Sequence, residues 1–160
     1  MRAPTPFPSV SPALLTGNAD IDQEHRLLLG IMGRLREICA DFLARDDCHG
    51  CPHHAEHRCD NALVETLGDL LMFLVDHFRT EEDLMRTGRA TLVDRDLCEL
   101  HKEDHAAISH TVQRIVASLD PARTAAHIRQ LDELLVRWVE NHIKVHDQVL
   151  VRMLQPQPAA

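Results

Sequence analysis

Two histidines, His101 and His105, lie in the segment Leu97–Ile108, and the residues around them repeat with the spacing of a helix. Residues four apart on a helix share one face, one turn above the other. The other residues of that face are apolar: Leu97, Ile108, Val112 and Ile115. Because a buried imidazole needs partners for its ring nitrogens, this segment predicts a cluster of polar groups inside a helical core.

Three further segments place a histidine on an apolar seam, a row of residues in alternating steps of three and four that faces the core. The three seams are Ile21, His25, Leu28, Met32, Leu35, Cys39 and Phe42; Leu63, Leu67, Leu70, Leu74, His77, Glu81 and Leu84; and Ile128, Leu131, Leu135, Trp138, His142, Val145 and Val149. With the helix around His101 they predict an all-α protein. The mostly short links favour an antiparallel up-down-up-down four-helix bundle.

Residues typical of helix ends lie where the seams begin and stop. They are Asn18 or Asp20 before the first helix, Gly88 after the second, Asp94 before the third and Asp120-Pro121 before the fourth. We therefore predict an N-terminal arm over residues 1–19, the bundle over 20–152 and a tail over 153–160. A Cys/His-rich insert, about residues 46–60, separates helices 1 and 2.

Composition narrows the class of protein. The chain has 160 residues, enough for one domain with its own core. A net charge of −8 and an aromatic content of 3% disfavour a nucleic-acid partner or an anionic membrane. The sequence shows neither a signal-peptide pattern nor an apolar run long enough to span a bilayer. We therefore expect a cytoplasmic protein whose cysteines are mostly reduced.

Carboxylates accompany the seam histidines. Glu81 lies four residues after His77, and Asp147 lies five after His142. The candidate metal ligands are His25, His77, Glu81, His101, His105, His142 and Asp147. Five imidazoles and two carboxylates exceed the four ligands of a structural zinc site. They suit a pair of borderline cations such as iron, with the carboxylates bridging the two and, together with a bridging hydroxide, offsetting their charge.

The position of Asp147 conflicts with a regular helix. A step of five residues rotates by about 140° past a full turn, which moves Asp147 away from the face of His142. His146, at four residues, lies closer to that face. Either His146 is the ligand, or a π-bulge gathers residues five apart onto one side. We predict an irregular helical turn between His142 and Asp147.

Four motifs, taken together and in this order, resemble the haemerythrin family and in particular its single-domain bacterial members, the bacteriohaemerythrins. They span about Asp20–Leu150, nearly the whole chain. The motifs are Ile21-Asp22-Gln23-Glu24-His25, His77-Phe78-Arg79-Thr80-Glu81-Glu82 with Met85, His101-x-x-x-His105, and Trp138-x-x-x-His142-Ile143-x-x-x-Asp147. The resemblance implies a non-haem di-iron centre with a bridging oxo or hydroxo group that binds O₂ reversibly.

The resemblance also implies a role for each residue, and it favours Asp147 over His146. One iron would be held by His101, His105 and His142, the other by His25 and His77, with Glu81 and Asp147 bridging. The second iron then has one ligand fewer, which is where O₂ would bind. Residues matching or adjoining the oxygen pocket of the family are Trp138, Ile143 and Lys144.

Three functions follow as hypotheses. The first is O₂ storage, delivery or sensing without turnover of a substrate. The second is a di-iron redox enzyme acting on peroxide, nitric oxide or iron, with Lys144 admitting water unless that side chain points outward. The third is a metal or redox sensor that uses the Cys/His insert.

The insert has the ligand types and spacing of a small zinc site. Its predicted ligands are Cys48, Cys51, His57 and Cys59. A solvated polar loop and a Cys48–Cys51 disulfide are the alternatives. Cys39 and Cys98 lie on or beside seams, so we predict that both are packing residues.

Overall fold

The computed structural model describes residues 11–88 and 92–155, and within these ranges it contains helices and turns but no strand. The all-α prediction is confirmed. The α-helices are α1 Ala19–Ile38, α2 Pro52–Ala55, α3 Arg58–Thr87, α4 Leu92–Ala117, α5 Thr124–His142 and α6 Gln148–Leu154. Short 3₁₀ turns occur at Pro12–Leu14 and Pro121–Arg123, and a π-helical turn at Ile143–Asp147 joins α5 to α6.

Side-chain capping fixes the start of α1. The Asn18 side chain accepts the backbone N–H groups of Asp20 at 3.0 Å and Ile21 at 3.2 Å, so Asn18 and not Asp20 is the cap. One turn later the Asp22 carboxylate accepts both the N–H and the hydroxyl of Thr16, at 2.7 and 2.8 Å. These bonds hold the end of the predicted arm against α1. The rest of that arm, residues 1–10, and the tail from residue 156 lie outside the described residues.

The other helix ends agree only in part with the sequence. The α3 helix stops at the predicted residue, since the N–H of Gly88 bonds to the Leu84 carbonyl at 2.9 Å. The start predicted at Asp94 is wrong, because α4 begins at Leu92 and already includes that residue. Asp120 does begin the next turn, where its carboxylate accepts the Ala122 N–H at 2.9 Å.

The core lies between the four long helices, with α1 against α3 and α5, and α4 against the same two. Burial of each large aliphatic side chain contributes about 1.5–3 kcal/mol. The fully buried aliphatic residues come mainly from α1, α3 and α5 and include Leu28, Leu35, Leu63, Leu70, Ile128, Leu131 and Leu135. A membrane-crossing segment is not found among the helices of residues 11–88 and 92–155, since none combines enough length with enough apolar character.

Several seam residues depart from the predicted pattern. Leu97 is 37% exposed, and its neighbour Cys98 is buried in its place. Val145, predicted to be buried, is 59% exposed. The predicted seam of helix 1 is also longer than the helix itself. The α1 helix ends at Ile38, and Phe42 reaches the core from the turn that follows.

The π-helical turn explains the exposure of Val145. It lies between His142 and Asp147, where an irregular turn was predicted, and that prediction is confirmed. The wide turn holds one residue more than an α-helical turn would, so it advances the register by one position. Asp147 consequently faces the core, and Leu150 is buried one position after the seam residue predicted at Val149.

Candidate metal centre

The seven predicted ligands come together in the core. Each of them is 3% exposed or less. They lie on α1, α3, α4, α5 and the π-helical turn: His25, His77, Glu81, His101, His105, His142 and Asp147. Charged and polar groups buried to this degree require compensating partners. The core of the bundle is therefore a polar site enclosed by apolar side chains.

The Glu81 carboxylate lies at the middle of this site. Its Oε2 atom is 3.0 Å from Nε2 of His105 and 3.3 Å from Nε2 of His101. The same oxygen is 3.5 Å from Nε2 of His77 and 3.6 Å from Nε2 of His142. One carboxylate oxygen thus contacts imidazoles from three helices.

Asp147 connects the remaining side of the site. Its Oδ2 atom is 2.9 Å from Nε2 of His25. Its Oδ1 atom is 3.0 Å from Nε2 of His142 and 3.3 Å from Nε2 of His101. The competing residue, His146, is half-buried and stacks on the His101 ring, with 4.8 Å between ring centroids. The π-helical turn therefore brings the carboxylate into the site and leaves His146 beside it.

The donor atoms fall into two overlapping groups, and within each group all atoms lie within 4.8 Å of one another. The first is Glu81, His101, His105 and His142; the second is His77, Glu81, His142 and Asp147. Glu81 and His142 belong to both groups, and because a carboxylate has two oxygens, Glu81 is placed to contact two cations at once. His25 joins the second group through Asp147.

Several buried atoms of the site have no hydrogen-bond partner among the described residues. They are Nδ1 of His25, Nε2 of His77, Oε1 of Glu81 and Oδ1 of Asp147. Unpaired buried polar atoms are rare in proteins and usually indicate that an ion or a water molecule binds there. Imidazole nitrogens and carboxylate oxygens are ligands that iron and zinc accept. The residues present therefore fit a group of bound cations.

The electrostatics of the protein without metal point the same way. Burial by itself raises the pKa of the Glu81 carboxyl, but hydrogen bonds from His101, His105 and His142 outweigh it and hold this pKa well below its ordinary value. Burial lowers the pKa of His142, but the carboxylates of Asp104, Asp147 and Glu81 raise it to about 11. The buried carboxylates therefore stabilise positive charge in the site. Without metal this charge is carried by protons on the imidazoles, and bound cations would supply it instead.

Asp104 orients one of the imidazoles, a role that the sequence reasoning missed. Its Oδ2 atom accepts Nδ1–H of His142 at 2.6 Å and the indole N–H of Trp138 at 2.8 Å. The indole also stacks on the His142 ring, with 4.4 Å between centroids. These contacts turn Nε2 of His142 toward the site. The available signal was the spacing, because Asp104 lies three residues after His101 on the same helix.

Two further carboxylates have the same role. Glu24 accepts Nδ1–H of His77 at 2.8 Å and the Thr80 hydroxyl at 2.7 Å. Glu82 lies 3.3 Å from Nδ1 of His105. Outer carboxylates of this kind fix the ring orientation of a ligand and raise its basicity. Each was adjacent in sequence to a predicted ligand, but adjacency alone does not place two side chains on one face of a helix.

The three residues predicted for the oxygen pocket lie in different environments. Trp138 and Ile143 are buried next to the cluster, whereas Lys144 is exposed. The lysine side chain is therefore not among the buried groups, which matches its predicted outward alternative. The oxygen pocket itself stays a prediction.

The predicted zinc ligands of the insert are not all brought together. Cys48, Cys51 and Cys59 line one small cavity, but His57 is 70% exposed and bonds to Asp60. The fourth thiol at the cavity is Cys39, which we predicted to be a packing residue. Burial first, and then the thiols of Cys39, Cys51 and Cys48, raise the pKa of Cys59. Cys48 and Cys51 are free thiols in this structure.

A family model described as "Hemerythrin HHE cation binding domain" matches residues 16–154. This range includes all seven buried ligands and the four thiols. No curated protein and no solved structure gives a significant match to the chain.

Proposed function

The chain belongs to the haemerythrin family, and from that premise we propose that it is a non-haem di-iron protein that binds O₂ reversibly. The buried Glu81 carboxylate is the observation that carries this proposal. It belongs to two donor groups at once and contacts imidazoles from three helices. A carboxylate shared in this way suits two adjacent cations better than one.

We assign the ligands as the family resemblance implies. One iron would be held by His101, His105 and His142 and the other by His25 and His77, with Glu81 and Asp147 as the carboxylates between them and an oxo or hydroxo group completing the pair. Glu81 and His142 belong to both donor groups, and of these two the carboxylate is the side chain that can contact two cations. When bound, the irons supply the electrons for reversible attachment of O₂. We also propose that the four long helices run in the antiparallel up-down-up-down order predicted from their short links.

The protein contributes orientation and exclusion of water. Asp104, Glu24 and Glu82 hold the rings of His142, His77 and His105 with Nε2 directed inward. Aromatic side chains cover two of the imidazoles: Phe78 stacks on His105 and Phe73 on His77, with 3.8 and 5.1 Å between ring centroids. A dry surrounding disfavours the separation of charge, and so it favours release of neutral O₂.

We propose storage, delivery or sensing of O₂ rather than enzymatic turnover. Ligands that are 3% exposed or less disfavour a bulky organic substrate. The protein would act in the cytoplasm, as its sequence predicts. The alternative is a di-iron redox enzyme acting on peroxide, nitric oxide or iron.

One cycle of gas exchange tests the proposal. The purified protein is analysed for iron, reduced without oxygen, exposed to O₂ and then deoxygenated, with visible absorption recorded at each stage. We expect about two irons per chain and a charge-transfer band that appears with O₂ and disappears on its removal. A protein without iron contradicts the di-iron centre. Immediate irreversible oxidation contradicts reversible binding and favours the enzyme.

A further inference from the structure

Four of the five cysteines of the chain line one cavity of about 10 Å³ at the end of the bundle. They are Cys39, Cys48, Cys51 and Cys59. Cys39 follows His25 by fourteen residues, which is roughly 20 Å along a helix at 1.5 Å per residue. This group of side chains, here the thiol cluster, is therefore separate from the metal centre of the core.

The backbone brings the four thiols together from three places. Cys39 is the residue that ends α1, and Cys59 lies in the first turn of α3. Cys48 and Cys51 belong to one turn, in which the N–H of Cys51 bonds to the Cys48 carbonyl at 3.1 Å. Gly50, at φ +71°, adopts the left-handed conformation that the turn requires.

Contacts to α5 hold this turn in place. The Cys48 N–H donates to the Ala122 carbonyl at 2.8 Å. The guanidinium of Arg129 donates to the carbonyls of Phe42 and Arg45, at 3.3 and 3.0 Å. The segment between α1 and α3 is thus anchored before Cys48 and at Cys48 itself, which is buried at 7% exposure. A solvated polar loop would not need such anchoring.

The surroundings of the thiol cluster suit a cation bound by thiolates. The cavity wall includes Arg45 and the first residues of α5, whose N-terminal end carries partial positive charge. Both features offset the excess negative charge of four thiolates around a divalent ion. Nδ1 of His54 and Oδ1 of Asp60, from two other wall residues, are buried without a hydrogen-bond partner among the described residues.

We propose that the thiol cluster binds one zinc ion through Cys39, Cys48, Cys51 and Cys59. Four thiolates at about 2.3 Å in a tetrahedron form a closed structural zinc site, and soft sulfur ligands select zinc over harder cations. Each thiol gives up its proton to solvent on binding. The ion would tie the end of α1 and the start of α3 to the turn between them.

The thiols are less closely gathered than the ligands of the core. The groups of potential ligands whose atoms all lie within 4.8 Å of one another, among the described residues, belong to the core site and its surroundings. A zinc ion therefore has to draw the sulfur atoms inward, and we expect residues 39–59 to become more ordered on binding.

Metal analysis of protein purified under reducing conditions, without chelator, tests the site. We expect about one zinc per chain, lost in Cys39→Ser and in the double variant Cys48→Ser/Cys51→Ser, but retained in the matched control His57→Ala. Iron content should stay at the wild-type level in all of them. Loss of zinc in His57→Ala with retention in Cys39→Ser would overturn the ligand set.

A titration of the metal-depleted wild-type protein with Co²⁺ keeps the test independent of how the variants fold. We expect thiolate-to-cobalt charge-transfer bands that zinc then displaces. Absence of these bands, or a Cys48–Cys51 disulfide in protein kept under reductant, contradicts the proposal. Neither result bears on the O₂ band, so failure here is distinguishable from failure of the proposed function.

Discussion

The metal centre of the core and the thiol cluster gather their ligands in opposite ways. The predicted core ligands come from four long helices and the π-helical turn, and carboxylates from outside the cluster orient three of the imidazoles. The thiols come from residues 39–59 alone, at helix ends and in one turn. Helices packed in a bundle can thus preform a site, whereas a site built from a loop needs its ion to complete it. The two regions should therefore respond differently to loss of metal or of one ligand.

The largest expected effect is that of Glu81→Gln. An amide cannot bridge two cations as a carboxylate does, and Glu81 contacts four imidazoles of the core. We expect loss of both irons and of the O₂ band, with zinc unchanged. Metal analysis measures this directly, and Glu65→Gln, an exposed carboxylate on the same helix, is the control. If the Gln variant keeps two irons, Glu81 is not the bridging ligand.

The next largest effect is the dependence of the free energy of unfolding on pH in the iron-free protein. The pKa of His142 is about 11 when folded and 6.5 ordinarily, so its stabilising effect is complete below pH 6.5 and is lost as the pH rises toward 11. The slope for one proton is about 1.4 kcal/mol per pH unit. The pKa of Glu81 is lowered in the folded protein. The stability that this carboxylate contributes is therefore lost as the pH falls below 4.5, the ordinary pKa of the group.

Urea unfolding at a series of pH values measures this profile. The iron-loaded protein serves as the comparison. A metal ion on Nε2 of His142 replaces the proton that would otherwise be lost there, so the decrease in the free energy of unfolding at alkaline pH should disappear. An iron-free protein whose free energy of unfolding stays constant from pH 6.5 upward would show that the carboxylates around His142 do not hold its proton.

A smaller effect is expected from Asp104→Asn. The amide oxygen still accepts one hydrogen bond, but it carries no negative charge to offset the positive charge of a metal-bound imidazole. Loss of such a partner typically weakens metal binding about 10–100-fold. Competition with a chelator measures the iron affinity. The exposed neighbour Glu103→Gln is the control and should leave the affinity unchanged. Equal affinities in the two variants would mean that Asp104 does not position His142.

The smallest effect is expected from Glu24→Gln, which keeps the shape of the side chain and removes its charge. The amide oxygen can accept Nδ1–H of His77 while its nitrogen faces the Thr80 hydroxyl, so iron affinity should change by less than about tenfold. The rate of oxidation in air should change more, since the charge beside His77 is removed. The substitution Gln23→Ala, at an exposed neighbour, is the control. A complete loss of iron would make Glu24 a ligand.

The sequence predicted the core well because helical periodicity places whole rows of residues at once. The seams located six of the seven predicted ligands, and the mismatch between His142 and the seventh, Asp147, predicted the irregular turn. Periodicity does not report where a helix starts relative to its neighbours, so Leu97 and Asp94 were misplaced. It also cannot show contacts between segments: Asp104 reaches α5, and Cys39 meets Cys59 only because α1 ends beside α3.

The π-helical turn has a consequence for anyone who aligns or transplants this site. Its carboxylate follows His142 by five residues, yet a regular helix would return a residue to nearly the same face after only four. The same geometry can therefore be written with two different spacings, one with the extra residue and one without it. A search that fixes the interval would miss the sites with the other spacing, whereas a search that follows the buried face would find both kinds.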